Sequence, residues 1–455
     1  MERKKSEEDK VSRKVKTNQD LISRESMFEC NGSEKISPFP PRKLKLSHNK
    51  PSDCSIKRHH PAIMSNLGSG AGAAVVAEAL KKYGVKYCFG VVGIPIIEVG
   101  VAFQNAGLIY IGCRNEQAAS YAAGAVGYLT GTPGVCLCVP GPGLVHGLAG
   151  LANSKENGWP MILLAGSSDT SLDSMMSFQE SPQIEFARPY VKYAARFDSV
   201  ERIPFYIEKA IRISMSGRPG PVYLDIPGEL VNRDPDESKL VYPVPRGPIP
   251  GFIADTAEIE KACAAMIEAK KPLILVGKGM QIGRAEKEVL QLVEMTGFPF
   301  LPSPLGKGVV PDNHAQNVIA ARSTALENAE LVILLGSRLN WINHFGLPPR
   351  FNAKVKIIQV DILPEAMGDN VPNVASLVGH GPLVVKQLCE ALAGNKRFKR
   401  MTGEEPFWKD LKSKVQTNVK KSTELACDDC VPMNYYHPIT LIQNFIRENC
   451  PDCFM

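Results

Sequence analysis

The segment Arg114-Asn115-Glu116-Gln117-Ala118-Ala119 sets a carboxylate among small residues, and it is the part of this chain best suited to acid–base chemistry. At a strand-to-helix turn, Glu116 complements the positive end of the helix dipole. Facing a water-poor cleft, the same group can take and return a proton. Behind it, Ala118, Ala119, Ala122, Ala123, Gly124 and Ala125 are small enough for another backbone or a flat ligand to approach closely. Gly93-Ile94-Pro95 and Gly141-Pro142-Gly143 each close an apolar run and read as turns. Gly277-Lys278-Gly279 follows another apolar run and precedes a helical segment with Arg284. It is either a plain glycine turn or one that offers N–H groups to a phosphate. Cys427-Asp428-Asp429-Cys430 and Cys450-Pro451-Asp452-Cys453 are spaced much as in zinc sites. Between them Ile439, Leu441, Ile442, Phe445 and Ile446 recur at helical spacing, and no zinc-knuckle glycines flank either pair, so we expect no metal there.

These residues need a scaffold, and from Gly68 the pattern alternates helix and strand. A helix over Ala73 to Tyr83 precedes a strand over Lys86 to Val92. A strand over Leu108 to Gly112 leads into a helix from Glu116 to Leu129. Strands over Val135 to Val139 and Met161 to Ala165 follow, separated by a helix to about Ala152. Such alternation predicts a doubly wound parallel sheet, with the glycine turns gathered on the edge where ligands bind. After the proline-rich linker, strands over Pro272 to Val276, Phe298 to Leu301, Leu331 to Leu335 and Val355 to Asp361 predict a second sheet of this kind. The fold class is therefore α/β, with two doubly wound parallel-sheet domains plus the start of a third. Expected boundaries are a disordered polar extension over 1–66, a first domain over 67–240, a linker over 241–250, a Rossmann-like domain over 251–395 and a final segment over 396–455.

The formal net charge of +6 is concentrated in the opening segment, in runs such as Arg3-Lys4-Lys5 and Arg42-Lys43-Leu44-Lys45. With no basic helix and no aromatic–basic alternation in the body, nucleic-acid binding is not expected. The opening segment lacks an apolar core for secretion, and Glu7-Glu8-Asp9 makes it too acidic for a mitochondrial leader. No apolar run is long enough to span a bilayer. The 12 cysteines, without a secretory signal, suggest reduced thiols, and Cys136 and Cys138 lie in an apolar strand as core residues.

Phe89-Gly90-Val91-Val92-Gly93-Ile94-Pro95, Arg114 to Ala119 and Gly141-Pro142-Gly143 together resemble the pyrimidine-binding domain of thiamine-diphosphate enzymes. Within that superfamily the chain is most similar to 2-hydroxyacyl-CoA lyases and the related oxalyl-CoA decarboxylases. Supporting segments are Ser216 to Asp225, Gly277-Lys278-Gly279, Gly336-Ser337-Arg338-Leu339-Asn340-Trp341 and Pro432-Met433-Asn434-Tyr435-Tyr436. Phe178-Gln179 stands where the decarboxylases usually present Tyr-Glu, which favours the lyase branch.

The resemblance implies that Glu116 exchanges a proton with the cofactor's aminopyrimidine. It also implies that Gly93, Ile94, Pro95, Gly141, Pro142, Gly143, Phe178, Gln179 and Tyr435 line the cofactor. Gly277, Lys278, Gly279 and Asn370 would meet the CoA nucleotide, and Arg218 and Asp361 a regulatory ADP. The implied activity is cleavage of a 2-hydroxyacyl-CoA to formyl-CoA and a shortened aldehyde, in fatty acid alpha-oxidation. Oxalyl-CoA decarboxylation, or CoA/ADP binding without catalysis, is the alternative. The family's diphosphate-binding domain supplies Gly-Asp-Gly and holds a magnesium ion. No Gly-Asp-Gly occurs here, so we expect that domain to be missing and the chain alone to be inactive. Pairing with a full-length subunit or a homo-oligomer follows from a site shared across subunits. The family points to the peroxisome. The ending Asp452-Cys453-Phe454-Met455 is no peroxisomal signal, which leaves the cytoplasm open.

Overall fold

The computed structural model describes residues 70–245 and 250–450. The polar extension, most of the linker's second half and Cys453 lie outside the described residues. The chain divides into two compact units, one holding 70–245 and the other 251–450.

The first unit is a six-stranded sheet in the order β2-β1-β3-β4-β6-β5. Its strands are β1 (Tyr87–Gly90), β2 (Ile109–Gly112), β3 (Gly134–Cys138), β4 (Met161–Ser167), β5 (Ala194–Arg196) and β6 (Pro221–Pro227). All pair in parallel. The side-chain period of two divides the core. Val135, Leu137, Ile162, Leu164, Val222 and Leu224 face one layer with the helices Ala71–Lys82, Ile97–Asn105 and Ile203–Met215. Cys136, Cys138, Met161, Leu163 and Tyr223 face the other, against Glu116–Thr130 and Pro142–Asn157. The buried thiols are packing groups, and burial pushes those of Cys136 and Cys138 far up.

The small-residue stripe behind Glu116 is taken up by a neighbouring backbone. A Cβ on Gly124 would lie 2.4 Å from Ser154 Oγ, and one on Gly150 2.2 Å from Ser120 Oγ. Those residues let the two helices approach each other face to face.

The second unit is a five-stranded sheet in the order β11-β10-β9-β7-β8. Its strands are β7 (Pro272–Val276), β8 (Phe300–Pro302), β9 (Leu331–Leu335), β10 (Lys356–Asp361) and β11 (Asn373–Val378), again all parallel. The helix Pro406–Cys427 docks on this core through Phe407, Trp408 and Leu411. The indole N–H of Trp408 donates to Gly297 O at 2.9 Å. A further helix, Tyr436–Asn449, leaves Ile439, Leu441, Ile442 and Phe445 exposed.

Candidate active site

Glu116 is the first residue of the helix after β2, at the carboxyl edge of the first sheet. The strand ends at Gly112, and the extended Asn115 caps the helix, its side chain accepting the N–H of Ala118 at 3.0 Å. This cap satisfies an otherwise unpaired helix donor and typically contributes about 1 kcal/mol. The Glu116 side chain is sheltered, 13% exposed, and Oε2 lies 3.2 Å from Nδ1 of the more open His146. In the Nδ1–H tautomer His146 donates to the carboxylate.

Gly141-Pro142-Gly143 links β3 to the helix that carries His146. A Cβ on Gly143 would lie 3.4 Å from Glu116 Oε1 and 2.6 Å from Val139 Cγ2. One on Gly93 would lie 2.7 Å from Val139 Cγ1. Val139 thus draws both glycine turns to the carboxylate. Pro95 packs over the ends of β4 and β6, its ring 2.8 Å from where a Cβ on Gly166 would stand, while Ile94 is exposed.

Gln179 leans on the same turn: its carbonyl would lie 2.9 Å from a Cβ on Gly141. Phe178 beside it is exposed. The loop is folded on itself by Glu180, whose Oε1 and Oε2 accept the N–H groups of Ser174 and Ser177 at 2.5 and 3.0 Å. Arg196 holds its far side, donating to both Asp173 oxygens at 2.6 and 3.1 Å and to Ser168 O at 2.7 Å.

Beneath this loop lies a cleft of about 600 Å³, lined by Pro140, Ser167, Gln179, Gln183, Arg196 and Asp225 among others. Several of its buried polar atoms lack partners: Ser167 Oγ, Gln179 Oε1, Ser181 Oγ, Arg196 Nε and Asp225 Oδ1. Such a set calls for a polar occupant, ordered water or ligand. Burial pushes the Asp225 carboxyl up to about 6, against the opposing pull of Ser167, Arg196 and Gln183.

The second unit uses its glycines differently. Gly277 N–H donates to Leu335 O at 2.8 Å and Gly279 N–H to Gly336 O at 3.0 Å. A Cβ on Gly277 would lie 2.3 Å from Gly336 O. The Gly277-Lys278-Gly279 turn is thus locked against the turn after β9, with those two N–H groups committed. Asp361 ends β10 on the same edge and accepts the N–H of Leu363 at 3.1 Å. Asn370 donates to Leu339 O at 2.6 Å.

Among the cofactor residues named from the sequence, Glu116, Gly93 and Gly141 to Gly143 come together around Val139. Arg218 precedes β6 and lies at the opposite edge of its sheet, donating to Glu156 O at 2.7 Å. Tyr435 belongs to the second unit and is 79% exposed. The reading from sequence passed over Val139, His146 and Gln183. His146 had one local signal, its place three residues after Gly143, one helical turn into the helix. Cys427, Cys430 and Cys450 are exposed, and among the described residues no group of three or more His, Cys, Asp or Glu could hold a metal ion.

Residues 71–186 match the family "Thiamine pyrophosphate enzyme, N-terminal TPP binding domain", and residues 259–388 match "Thiamine pyrophosphate enzyme, central domain". The chain is 47% identical to 2-hydroxyacyl-CoA lyase 1 of Homo sapiens over 380 residues, 84% of this chain and 65% of that protein. It is 49% identical to 2-hydroxyacyl-CoA lyase 1 of Mus musculus over 366 residues, 80% of this chain and 63% of that protein. With oxalyl-CoA decarboxylase of Escherichia coli (strain K12) it shares 36% identity over 384 residues, 83% of this chain and 67% of that protein. The chain thus spans about two thirds of the length of these curated relatives. Two parallel sheets, a carboxylate heading the helix after β2 and these matches agree: the chain belongs to the thiamine pyrophosphate enzyme family, in the group of 2-hydroxyacyl-CoA lyases and oxalyl-CoA decarboxylases.

Proposed function

We propose that this chain is a subunit of a thiamine-diphosphate-dependent carbon–carbon lyase that cleaves a 2-hydroxyacyl-CoA to formyl-CoA and a shortened aldehyde. The observation that carries the proposal is the sheltered Glu116 carboxylate at the head of its helix, beside the glycine turn at Gly143. A carboxylate acceptor so placed fits the hydrogen-bonding pyrimidine end of the cofactor. When bound, thiamine diphosphate supplies an acidic carbon that adds to a carbonyl and an electron sink for C–C cleavage. Glu116 holds and returns a proton at the pyrimidine N1′. His146 orients the carboxylate through Oε2. Gly93, Ile94, Pro95 and Gly141 to Gly143 form the ring's walls, with Phe178 and Gln179 between it and the substrate.

The lyase reading is preferred over decarboxylation because identity is 47–49% to the lyases and 36% to the decarboxylase. Lys278, with its flanking glycines, and Asp361 are proposed to contact acyl-CoA or ADP, supported by their shared place at the carboxyl edge of the second sheet, and Asn370, bonded to Leu339 O after β9, is proposed with them. Arg218 and Tyr435 are proposed as further ADP and cofactor contacts on resemblance alone. The magnesium ion tied to the diphosphate finds no candidate ligand group among the described residues, and no step here is assigned to it. Pairing with another subunit is proposed at the face around Glu116, where Ile94, Ile109, Ile111, Tyr121 and Val145 are exposed large apolar side chains. Peroxisomal residence is part of the same proposal. No described helix is long and apolar enough to cross a membrane.

The test is an assay with thiamine diphosphate, magnesium and a 2-hydroxyacyl-CoA, of this chain alone and mixed with a complete lyase subunit. Formyl-CoA release above that of the complete subunit alone, lost with Glu116→Gln, supports the proposal. Release unaffected by that change contradicts it.

A further inference from the structure

Gln183 opens the short helix Gln183–Ala187 and is almost wholly buried, at 3% exposure. Its side-chain amide is fully used. Oε1 accepts the N–H of Gly141 at 2.8 Å, while Nε2 donates to Gly166 O at 2.9 Å and to the Tyr223 hydroxyl at 3.1 Å. One side chain thus ties together the ends of β3 and β4 and the interior of β6. Only a group that accepts on one side and donates twice on the other can do this, which a primary amide does and an ionised carboxylate or a thioether does not.

What the tie holds is the start of the helix Pro142–Asn157. Gly141 sits at φ +61°, a conformation that side-chain-bearing residues rarely adopt. Both contacts of the Glu116 carboxylate in this region come from the helix that begins there: the bare backbone at Gly143 faces Oε1, and His146 Nδ1 meets Oε2 at 3.2 Å. Releasing the Gly141 N–H would leave a buried donor unpaired and free the helix start to shift.

We propose that Gln183 is the positioning residue of this site, setting the Gly141–Gly143 turn and through it the place of the Glu116 carboxylate. The inference rests on the reading of Glu116 as the proton-exchanging group. It is tested on the 455-residue chain without cofactor, by amide hydrogen exchange of Gln183→Met and Gln183→Glu. Met loses every bond of the amide, whereas Glu keeps an acceptor for Gly141. The expected result is exchange over residues 139–146 about ten-fold faster in Gln183→Met, with Gln183→Glu between it and the unchanged chain. Calorimetry with thiamine diphosphate should rank the affinities in the same order. Equal exchange over 139–146 in all proteins, or acceleration spread evenly over 70–245, would overturn the proposal. Should Gln183→Met fail to fold, Tyr223→Phe removes a single bond of the tie; a smaller acceleration in the same segment supports the inference and none overturns it. If the unchanged chain binds no thiamine diphosphate while the exchange pattern holds, the cofactor reading fails and the tie stands.

Discussion

Both sheets end in a glycine-flanked turn at their carboxyl edges, yet the glycines answer to different needs. In the first unit, Gly143 packs on side chains beside a sheltered carboxylate: its Cβ would stand 2.6 Å from Val139 Cγ2 and 3.4 Å from Glu116 Oε1. In the second, Gly277 and Gly279 are consumed by the backbone of Gly336, with the would-be Cβ of Gly279 2.7 Å from Gly336 Cα. The same local pattern therefore borders the proposed site in one place and forms a backbone packing joint in the other. What separates them is what stands opposite: a titratable side chain or a carbonyl.

That contrast can be broken by substitution. Glu116→Gln should lower turnover at least about 100-fold in any preparation that cleaves a 2-hydroxyacyl-CoA. Its thermal stability should stay within about 1 kcal/mol, because the lost pair with His146 is partly exposed. Gly277→Ala should do the reverse. Its Cβ has no room beside Gly336 O, so overpacking should destabilise the second unit by about 1–3 kcal/mol, read from its denaturation curve, with the first unit's melting unchanged. Equal losses in both units would erase the distinction.

Asp225 sharpens the comparison from the first unit's side. Its carboxyl is raised to about 6 by burial. A raised acid binds its proton more tightly in the folded state, so wild-type stability falls as pH rises from about 4 to about 6 and is level above that. Asp225→Asn removes this slope. Between about pH 4 and about pH 7.5 the variant should gain on the order of 1–3 kcal/mol relative to the unchanged chain, measured by urea denaturation. A constant difference would mean that the carboxylate is charged and paired throughout. The smallest effect is expected for Asn115→Ala, which loses the cap to Ala118 and should cost about 1 kcal/mol without changing the second unit.

The sequence carried the parallel-sheet pattern well where strands are buried on both faces. β3, β4, β7 and β9 are buried along their whole length and read as continuous apolar runs. The strands β5, β6 and β11 escaped: Ala194–Arg196 is only half-buried throughout, Asn373–Val378 is buried at just two positions, and Pro221–Pro227, though buried along its whole length, is interrupted by prolines and Asp225. Glu116 was legible because an Asn–Glu step between a strand and an alanine-rich helix is local information. His146 and Gln183 were not, since they reach the site across 30 and 42 residues of chain and their partners are fixed only by folding. The alanine and glycine stripe was legible as a close-approach surface, though sequence could not say that a helix would fill most of it.

The central claim concerns the proton at Glu116. The direct measurement is the rate at which the C2 hydrogen of thiamine diphosphate exchanges with deuterated water in the presence of the protein, followed by NMR after rapid quenching. The unchanged protein should accelerate that exchange over free cofactor, and Glu116→Gln should remove at least about 100-fold of the acceleration. Identical rates for the two proteins, with the cofactor bound to both, would contradict the account.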